Sequence, residues 1–345
     1  MQALIVHGHE LHLESVPDPE IRDPRDVVVR MTGSSICGSD LHLLSPDWVA
    51  PREVYGIGHE AIGEVIDVGG AVRSLRRGDR VMLAGSVGCG LCPACLAGEV
   101  KRCANGATDV YGIGQGLEGC QAEAIRVPAA DFNAAKIPEG ISDEQAVLLT
   151  DGLITAYAAC LGAEIRVGRS VAVIGLGPIG IMSVELAYAM GATVVFAVDP
   201  VSSRRELATA LGAVALTPEE TEEHIREATH GRMVDSVIEA VGKTETVDLA
   251  MAIVGAGRNV SILGAGQNFQ VTIPFTAAVN GVTVRANMLT EIARYWPDVV
   301  PMLVAGRIHP ERVFTDRIAL ADGLRGYQRV MSREPGVLKV LMQPV

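Results

Sequence analysis

Four of the seven cysteines in the chain lie close together, in the stretch CGLCPACLAGEVKRC. They are Cys89, Cys92, Cys95 and Cys103, with the spacing C-x2-C-x2-C-x7-C. A ferredoxin-type iron–sulfur run has three residues before its last cysteine and a proline after it. Here the last interval is seven residues and Ala104 follows. Four thiolates without a further donor form a closed tetrahedral site, with no position open for a substrate. The stretch therefore predicts a metal site that orders a surface loop and takes no part in a reaction.

A second group of candidate metal ligands is spread over the stretches SICGSDLH (35–42), GIGHEAIGEV (56–65) and TDGLITAY (150–157). Its members are Cys37, Ser39, Asp40, His42, His59, Glu60 and Asp151. A thiolate, an imidazole and a carboxylate together suit zinc. Neither of the first two stretches specifies a site alone, because each could hold a buried cysteine or a surface histidine. Together the stretches predict a zinc site with three protein ligands and one open position, where two domains meet.

The stretch VAVIGLGPIG (171–180) has the pattern of a strand that leads into a phosphate-binding turn. Gly175, Gly177 and Gly180 follow the spacing G-x-G-x-x-G, and Pro178 and Ile179 lie between the last two. The first glycine permits a tight turn, the second lets a pyrophosphate approach the backbone, and the third lets the helix pack closely on the strand. The phosphate would bind the exposed N–H groups at the positive end of that helix. The turn predicts a dinucleotide site.

The residue at the end of the next strand-like run bears on the choice of coenzyme. TVVFAVD ends at Asp199, nineteen residues after Gly180. A carboxylate here can accept hydrogen bonds from both hydroxyls of an adenosine ribose and repels a 2′-phosphate, which favours NAD. Arg204 and Arg205 follow shortly after. The sequence therefore leaves NADP open.

The elements that must position these residues follow two patterns. Short strand-like runs separated by Gly, Pro and Asp indicate a β-rich first domain: DVVVRM (26–31), EAIGEVIDVG (60–69), DRVMLAG (79–85) and AEAIRV (122–127). One long helix is expected over SDEQAVLLTDGLITAYAACLG (142–162). From Gly168 onward, strand-like and helical stretches alternate. This alternation predicts a doubly wound, mostly parallel sheet and an α/β fold class.

Composition narrows the class of protein. The chain has 345 residues, which is too long for one ordinary core, so two domains are expected. Its 29 basic and 41 acidic residues give 29 − 41 = −12, which disfavours nucleic acid and anionic membranes as partners. Glu185 is the only charged residue in the stretch 171–198, but its four glycines and one proline favour a buried strand–helix–strand unit over a membrane helix. The N-terminus alternates like a strand and does not resemble a signal peptide, so a cytoplasmic protein is expected.

Several motifs together resemble one family, the zinc-dependent medium-chain alcohol dehydrogenases. The motifs are CGSDLH, GHEAIGEVIDVG, GDRV, the four-cysteine stretch, TDGLITAY and VIGLGPIG, in the family's order and spacing. The resemblance implies a GroES-like catalytic domain (1–150) with a structural zinc lobe (about 86–106), and a Rossmann coenzyme domain (151–285). It also implies that a C-terminal segment (286–345) returns to the catalytic domain. A homo-oligomer is implied, a tetramer rather than a dimer.

The resemblance also implies roles for the dispersed ligands. Cys37, His59 and Asp151 match the ligands of the catalytic zinc, in the branch of the family that has a carboxylate as third ligand. Glu60 matches a residue that can enter the coordination of that zinc as an exchanging ligand. Asp40 matches the acid that orients the zinc-bound imidazole. The four clustered cysteines match the ligands of a structural zinc, so two zinc ions per chain are expected.

The implied reaction is reversible hydride transfer from a primary or secondary alcohol to NAD(P), with a small-molecule alcohol, aldehyde or ketone as substrate. Ser39 and His42 match the proton relay of the family. Trp48 matches an aromatic residue that lines the substrate pocket in some relatives, although a tryptophan in a core is equally ordinary. One alternative is a polyol or threonine-type zinc dehydrogenase. Another is a relative that binds zinc and nucleotide without catalysis. A zinc-free quinone reductase is disfavoured, because such relatives lack both the lobe cysteines and the Cys–His pair.

Overall fold

The structure is a computed structural model that describes residues 1–47, 49, 52–105, 109–113, 116–264, 271–287 and 289–343. Its strands are β1 (Gln2–His7), β2 (Glu10–Ser15), β3 (Val27–Ser35), β4 (Val54–Gly56), β5 (Ala61–Val68), β6 (Arg80–Leu83), β7 (Ser86–Val87), β8 (Asp109–Val110), β9 (Ala124–Val127), β10 (Ala134–Lys136), β11 (Ser170–Ile174), β12 (Val194–Val198), β13 (Val214–Leu216), β14 (Val234–Glu239), β15 (Val254–Ile262), β16 (Thr283–Ala286), β17 (Phe314–Ala319) and β18 (Lys339–Gln343).

The helices are α1 (Asp40–Leu43), α2 (Pro93–Leu96), α3 (Ala130–Asn133), α4 (Asp143–Leu148), α5 (Gly152–Gly162), α6 (Pro178–Ala189), α7 (Ser202–Ala210), α8 (Pro218–Ala228), α9 (Thr244–Ile253), α10 (Thr276–Val279), α11 (Ile292–Val304) and α12 (Gly323–Met331). Short 3-10 turns lie at Val100–Arg102, Pro310–Val313 and Leu320–Asp322. Within the described ranges, no helix is both long enough and apolar enough to cross a membrane.

The first compact unit comprises Met1–Ile154, Leu289–Gly306 and Glu311–Val345. Its main sheet has the order β10-β6-β5-β3-β18-β17, and β9 also pairs with β3. Strand β3 is rich in valine and mostly buried, as expected for the middle of a sheet. The late strand β18 pairs antiparallel with the end of β3, at Leu341↔Ser35 and Met342↔Ser34. This pairing brings the C-terminal strand to the backbone that leads into Cys37.

The long helix expected over residues 142–162 is wrong, because the structure contains two helices, α4 and α5, separated by a turn. The carbonyl groups in the turn bond to partners outside the helix. The Trp296 indole N–H donates to the Leu149 carbonyl at 2.8 Å, and the Gly85 N–H donates to the Thr150 carbonyl at 3.0 Å. With these carbonyls engaged elsewhere, the i→i+4 ladder cannot continue. The break places Asp151 in the turn.

The second unit comprises Thr155–Met288 and Arg307–Pro310. Its sheet has the order β13-β12-β11-β14-β15-β16, and every pair of neighbouring strands is parallel. The doubly wound parallel sheet predicted from the alternation of strands and helices is confirmed. The chain leaves β11 towards β12 and later returns on its other side through β14. The carboxyl end of β11 is therefore the switch point at which such sheets bind ligands.

Candidate functional site

The side chains of Cys37, His59 and Asp151 converge in the first unit. One ligand atom of each lies within 4.8 Å of the other two. Asp151 Oδ2 is 3.8 Å from Cys37 Sγ and 3.4 Å from His59 Nε2. Donors bonded to one tetrahedral zinc ion at about 2.0–2.3 Å lie roughly 3.3–3.8 Å from each other. The spacing and the S, N, O donor set both fit a zinc ion held by three protein ligands.

Each of the three donors is held by irregular backbone next to a regular element. Cys37 follows the end of β3, His59 lies between β4 and β5, and Asp151 lies in the turn before α5. Gly58 has φ +93°, a conformation in which a side chain would be strained, and a Cβ there would lie 2.5 Å from Gln121 Cγ. The sequence G-H thus permits the sharp turn that directs the His59 ring towards Cys37.

Asp40 is fully buried and contacts two of the donor residues. Its Oδ2 accepts a hydrogen bond from the Cys37 backbone N–H at 3.0 Å. Its Oδ1 is 3.2 Å from His59 Nδ1, and neither of these two atoms has another partner in the described parts of the chain. The contact with Asp40 Oδ1 therefore favours a proton on His59 Nδ1, while His59 Nε2 faces Asp151.

Burial and neighbouring charges shift the pKa values of two donors. Burial raises the pKa of Cys37, and the negative charge of Glu60 raises it further. Burial alone would lower the pKa of His59, but the charges of Asp40 and Cys37 outweigh it, so this pKa lies well above its usual value. Shifts of this kind, produced by burial and specific charge partners, are typical of functional sites.

Ser39, the first residue of the expected proton relay, lies beside the metal donors. Ser39 Oγ is 3.1 Å from Cys37 Sγ and 3.2 Å from His59 Nε2. His42 lies in α1, where its backbone N–H donates to the Ser39 carbonyl at 3.1 Å. The hydroxyl of Ser39 thus lies beside two of the three donors. Trp48, predicted as a pocket residue or a core residue, lies outside the described residues.

Glu60 is next to His59 in sequence but is held by other groups. Lys339 Nζ donates to Glu60 Oε2 at 2.6 Å, and the Ser35 hydroxyl donates to the same oxygen. The exposed fractions of the Lys339 and Glu60 side chains are 3% and 1%. The carboxylate is therefore anchored by a buried ion pair in this conformation. No sequence motif pointed to Lys339, which lies 279 positions away.

The four clustered cysteines also converge. The Sγ atoms of Cys89, Cys92, Cys95 and Cys103 all lie within 4.8 Å of one another, and none of the four forms a disulfide. The backbone N–H groups of Leu91 and Cys92 donate to Cys89 Sγ, each at 3.4 Å. Burial alone would raise the pKa of Cys89, but these hydrogen bonds lower it to about 6. Four converging sulfurs, one of them with a lowered pKa, fit a closed zinc site.

Side chains outside the lobe hold it in place. Asn133 is buried, its Oδ1 accepts from the Gly88 N–H at 2.9 Å, and its Nδ2 donates to the Gly88 carbonyl at 2.8 Å. Lys101 Nζ is 3.1 Å from Glu291 Oε1. The Ser86 hydroxyl donates to the Thr290 carbonyl at 2.8 Å. The lobe is thus tied to residues 290 and 291, which lie 204 positions after Ser86 and 291 − 101 = 190 positions after Lys101, respectively.

The glycines of the predicted nucleotide turn lie at the carboxyl end of β11, before α6. Gly175 has φ +89°, and a Cβ at Gly180 would lie 1.9 Å from the Gly175 carbonyl oxygen. Both positions therefore require glycine. A Cβ at Gly177 would meet nothing within 4 Å, so the backbone there borders open space that a phosphate could fill. Gly177, Pro178 and Ile179 are partly exposed at the N-terminus of α6.

Asp199 lies directly after β12 and contacts the same turn. Its Oδ2 accepts from the Leu176 N–H at 2.8 Å, and its Oδ1 accepts from the Val201 N–H at 2.8 Å. Arg204 NH1 is 3.6 Å from Asp199 Oδ2, and Arg205 NH1 donates to the Asp199 carbonyl at 2.7 Å. The carboxylate and the two guanidinium groups thus occupy one corner of the sheet, next to the glycine turn.

Comparison with known proteins agrees with this geometry. Residues 23–139 match the family model of the alcohol dehydrogenase GroES-like domain, and residues 178–305 match that of the zinc-binding dehydrogenases. A probable zinc-binding alcohol dehydrogenase of Mycobacterium tuberculosis is 38% identical over 346 residues, covering 100% of this chain and 89% of the relative. The chain belongs to the zinc-dependent medium-chain alcohol dehydrogenases. The family predicted from the motifs is confirmed, and with it the GroES-like and Rossmann folds of the two units.

Solved structures of this family have the same fold. The alcohol dehydrogenase TADH from Thermus sp. ATN1 has a TM-score of 0.92 and 34% identity, and 100% of each chain is covered. A protein from Sinorhizobium meliloti 1021 that was solved with bound NADP has a TM-score of 0.85 and 28% identity, with 99% of each chain covered. This member of the family is therefore an oxidoreductase of the alcohol dehydrogenase type.

Proposed function

We propose that this dehydrogenase oxidises a primary or secondary alcohol to an aldehyde or ketone with NAD as coenzyme. The observation that carries the proposal is the convergence of Cys37 Sγ, His59 Nε2 and Asp151 Oδ2 within 4.8 Å. The same chain contains the glycine turn and Asp199 at the switch point of a parallel sheet. A three-ligand metal site that can activate an alcohol and a dinucleotide site that can bind the hydride acceptor together suit hydride transfer from an alcohol.

Cys37, His59 and Asp151 would hold the catalytic zinc. When bound there, zinc would act as a Lewis acid that lowers the pKa of an alcohol hydroxyl group. Asp40 keeps the proton of His59 on Nδ1, so that Nε2 can serve as a donor. Glu60 stays paired with Lys339 and adds negative charge beside the site without supplying a ligand atom in this conformation.

Ser39 would receive the proton that the alcohol loses. Its Oγ is 3.2 Å from His59 Nε2 and 3.1 Å from Cys37 Sγ, so it borders the position of a reacting oxygen. A hydroxyl can accept one proton while it donates its own. His42, one helical turn further on, would accept the proton that leaves Ser39 Oγ.

Gly177 and the N-terminus of α6 would bind the pyrophosphate of the coenzyme. NAD, when bound, would accept the hydride. Asp199 would accept hydrogen bonds from the ribose hydroxyls and repel a 2′-phosphate. Arg204 forms an ion pair with Asp199, at 3.6 Å. This pairing makes the Arg204 guanidinium less available to bind a 2′-phosphate. The four lobe cysteines would hold a second, structural zinc.

The second unit has one sheet edge suited to association between copies of the chain. Strand β16 pairs with β15 and with no other strand in the described ranges. Phe275 and Val279, which precede it, have exposed fractions of 83% and 71%. An open edge flanked by exposed apolar side chains favours pairing with another chain. We expect a homo-oligomer, a tetramer rather than a dimer, which light scattering of the purified protein would measure.

The proposal is tested by following NAD(P)H absorbance with a panel of primary, secondary and polyhydric alcohols and L-threonine, each with NAD and NADP. Turnover of simple alcohols with NAD, lost in Cys37→Ala while NAD binding persists, is the expected result. Turnover of only a polyol or only L-threonine would show that the enzyme belongs with the polyol or threonine dehydrogenases instead. No turnover on the panel with zinc present would favour a relative that binds zinc and nucleotide without catalysis.

A further inference from the structure

A buried polar network contacts Asp40 through its Oδ2 atom. Asp40 Oδ2 is 3.4 Å from Gln121 Nε2 and 3.2 Å from the Tyr327 hydroxyl oxygen. The exposed fractions of Gln121 and Tyr327 are 1% and 2%. Because water does not reach these groups, each depends on the others for its hydrogen bonds.

The contacts of Gln121 fix the orientation of its amide group. Its Nε2 donates to the Ser35 carbonyl at 3.2 Å, and the Tyr327 hydroxyl is 2.8 Å from its Oε1. The opposite orientation would place two acceptors against each other at Ser35. The amide nitrogen therefore faces Asp40. The single hydroxyl proton of Tyr327 is donated either to Gln121 Oε1 or to Asp40 Oδ2, and with either choice the amide N–H of Gln121 faces the carboxylate.

The network determines which oxygen of Asp40 is available to His59. Oδ2 is engaged by the Cys37 backbone N–H, Gln121 Nε2 and Tyr327, so that Oδ1 is left for His59 Nδ1. Gln121 also packs against Gly58, where a Cβ would lie 2.5 Å from Gln121 Cγ. The same side chain thus supports the backbone before His59 and the acid that orients its ring.

We propose that Gln121 and Tyr327 are positioning residues for the Cys37–His59–Asp151 metal site. They hold Asp40 in the one orientation that serves His59 through Oδ1 and Cys37 through Oδ2. Neither is a member of the donor set, so Tyr327 acts through Asp40 and Gln121, and Gln121 acts through Asp40 and the backbone at Gly58. The inference rests on the proposed function, because it assumes that these donors bind zinc. Groups that hydrogen-bond a metal ligand directly, as Asp40 does, alter metal affinity by about 10- to 100-fold, so weakening the support of Asp40 should cost about 10-fold.

Tyr327→Phe tests the proposal in the purified full-length protein, with Tyr111→Phe as the matched control. Tyr111 is also fully buried, but its hydroxyl has no partner in the described parts of the chain. Zinc affinity is measured by competition with a chromophoric chelator, and the visible spectrum is recorded after Co²⁺ replaces zinc. We expect Tyr327→Phe to weaken the three-donor site about 10-fold and shift its Co²⁺ bands. The lobe site and the control should be unchanged.

An unchanged affinity and Co²⁺ spectrum in folded Tyr327→Phe would overturn the proposal. If Tyr327→Phe does not fold, the same zinc affinity and Co²⁺ spectrum are measured for Gln121→Met. Methionine keeps the approximate shape of the glutamine side chain and removes its hydrogen bonds. In the double variant, we expect the loss to be smaller than the sum of the single losses, because Tyr327 acts partly through Gln121. A wild-type protein that binds metal only at the lobe would refute the proposed zinc site itself, a result separate from any difference between variants.

Discussion

Lys339 in β18 and Glu60 next to β5 form a buried ion pair, with Lys339 Nζ 2.6 Å from Glu60 Oε2. Lys339 Nζ also donates to the Ile36 carbonyl at 3.3 Å. Burial alone would lower the pKa of Lys339, but the charges of Glu60 and Cys37 outweigh it and raise this pKa. A lysine kept charged inside the protein thus balances the negative charge that surrounds the metal donors.

Lys339→Met is expected to destabilise the protein strongly. The change leaves the Glu60 carboxylate buried without its counterion, and breaking a buried pair in this way costs about 3–5 kcal/mol. The free energy of unfolding is measured by urea denaturation of the wild type and variant. In Lys339→Met/Glu60→Gln the charge is also gone, and most of the stability should return. A single variant as stable as the wild type would contradict the ion pair.

Asp199→Ala is expected to shift coenzyme preference from NAD towards NADP. The change removes the carboxylate that would repel a 2′-phosphate and frees Arg204, now 3.6 Å from that carboxylate, to pair with the phosphate. A like charge about 5 Å away costs on the order of 3 kcal/mol at an effective dielectric constant of about 20. We therefore predict a change of about 10- to 100-fold in the ratio of kcat/KM for the two coenzymes. Asp199→Ala/Arg204→Ala should lose much of the gain, whereas an unaltered ratio would argue against Asp199 as the ribose contact.

Asp235→Asn is expected to lower stability more at neutral pH than in acid. Burial alone would raise the pKa of Asp235, but hydrogen bonds from Ser170 and Arg169 and the charge of Arg258 outweigh it and lower this pKa. A carboxyl group with a lowered pKa stabilises the fold above its ordinary value of about 3.9, and the effect is lost as the pH falls through the lowered pKa. The loss should be about 1–2 kcal/mol at pH 7 and should shrink towards pH 2, as the pH falls through the lowered pKa.

The measurement for Asp235 is thermal unfolding of both proteins across that pH range. Asp248 is an exposed aspartate in α9, and Asp248→Asn is the matched control. It should follow the wild type at every pH. A difference for Asp235→Asn that does not shrink as the pH falls would show that the lost hydrogen-bond geometry, and not the charge, is responsible.

Cys103→Ser is expected to reduce zinc content from about two ions per chain to about one. The remaining ion should stay at the three-donor site, because that site shares no residue with the lobe. Thermal stability should fall, since metal binding is what orders a loop with so little core. Metal analysis and thermal unfolding are the measurements. Cys160→Ala removes a buried cysteine outside both donor sets and should retain both ions. If Cys103→Ser kept two ions, the lobe assignment would be wrong.

The sequence predicted the fold well because its apolar residues repeat with clear periods. The valines of β3 and the alternation from β11 onward identify buried strands without reference to distant residues. The turn between α4 and α5 was missed for the opposite reason. Nothing in TDGLITAY shows that Trp296 and Gly85 take the carbonyls of Leu149 and Thr150. Local propensity favours one helix there, and tertiary hydrogen bonds end it.

The same limit applies to the site. Cys37, His59, Asp151 and the glycines of the turn occur in motifs, because chemistry restricts their type and spacing. Lys339 and Asn133 occur in no motif. Each is a polar side chain that satisfies a buried group far away in sequence, and such a partner can come from any element that folds next to it. Sequence patterns identify the atoms that react, whereas the groups that hold them are found only in the folded chain.

The pairing of β18 with β3 has a consequence for how the protein is made. The ribosome adds about 5–20 residues per second, so the 279 residues from Glu60 to Lys339 take roughly 15–55 s. During that time Ser34 and Ser35, at the end of β3, have no strand beside them on the side that β18 later covers. An open strand edge on a growing chain is prone to wrong pairing. The ion pair between Glu60 and Lys339 can therefore form only after the strand β18 has been synthesised, long after Cys37, His59 and Asp151 have been translated.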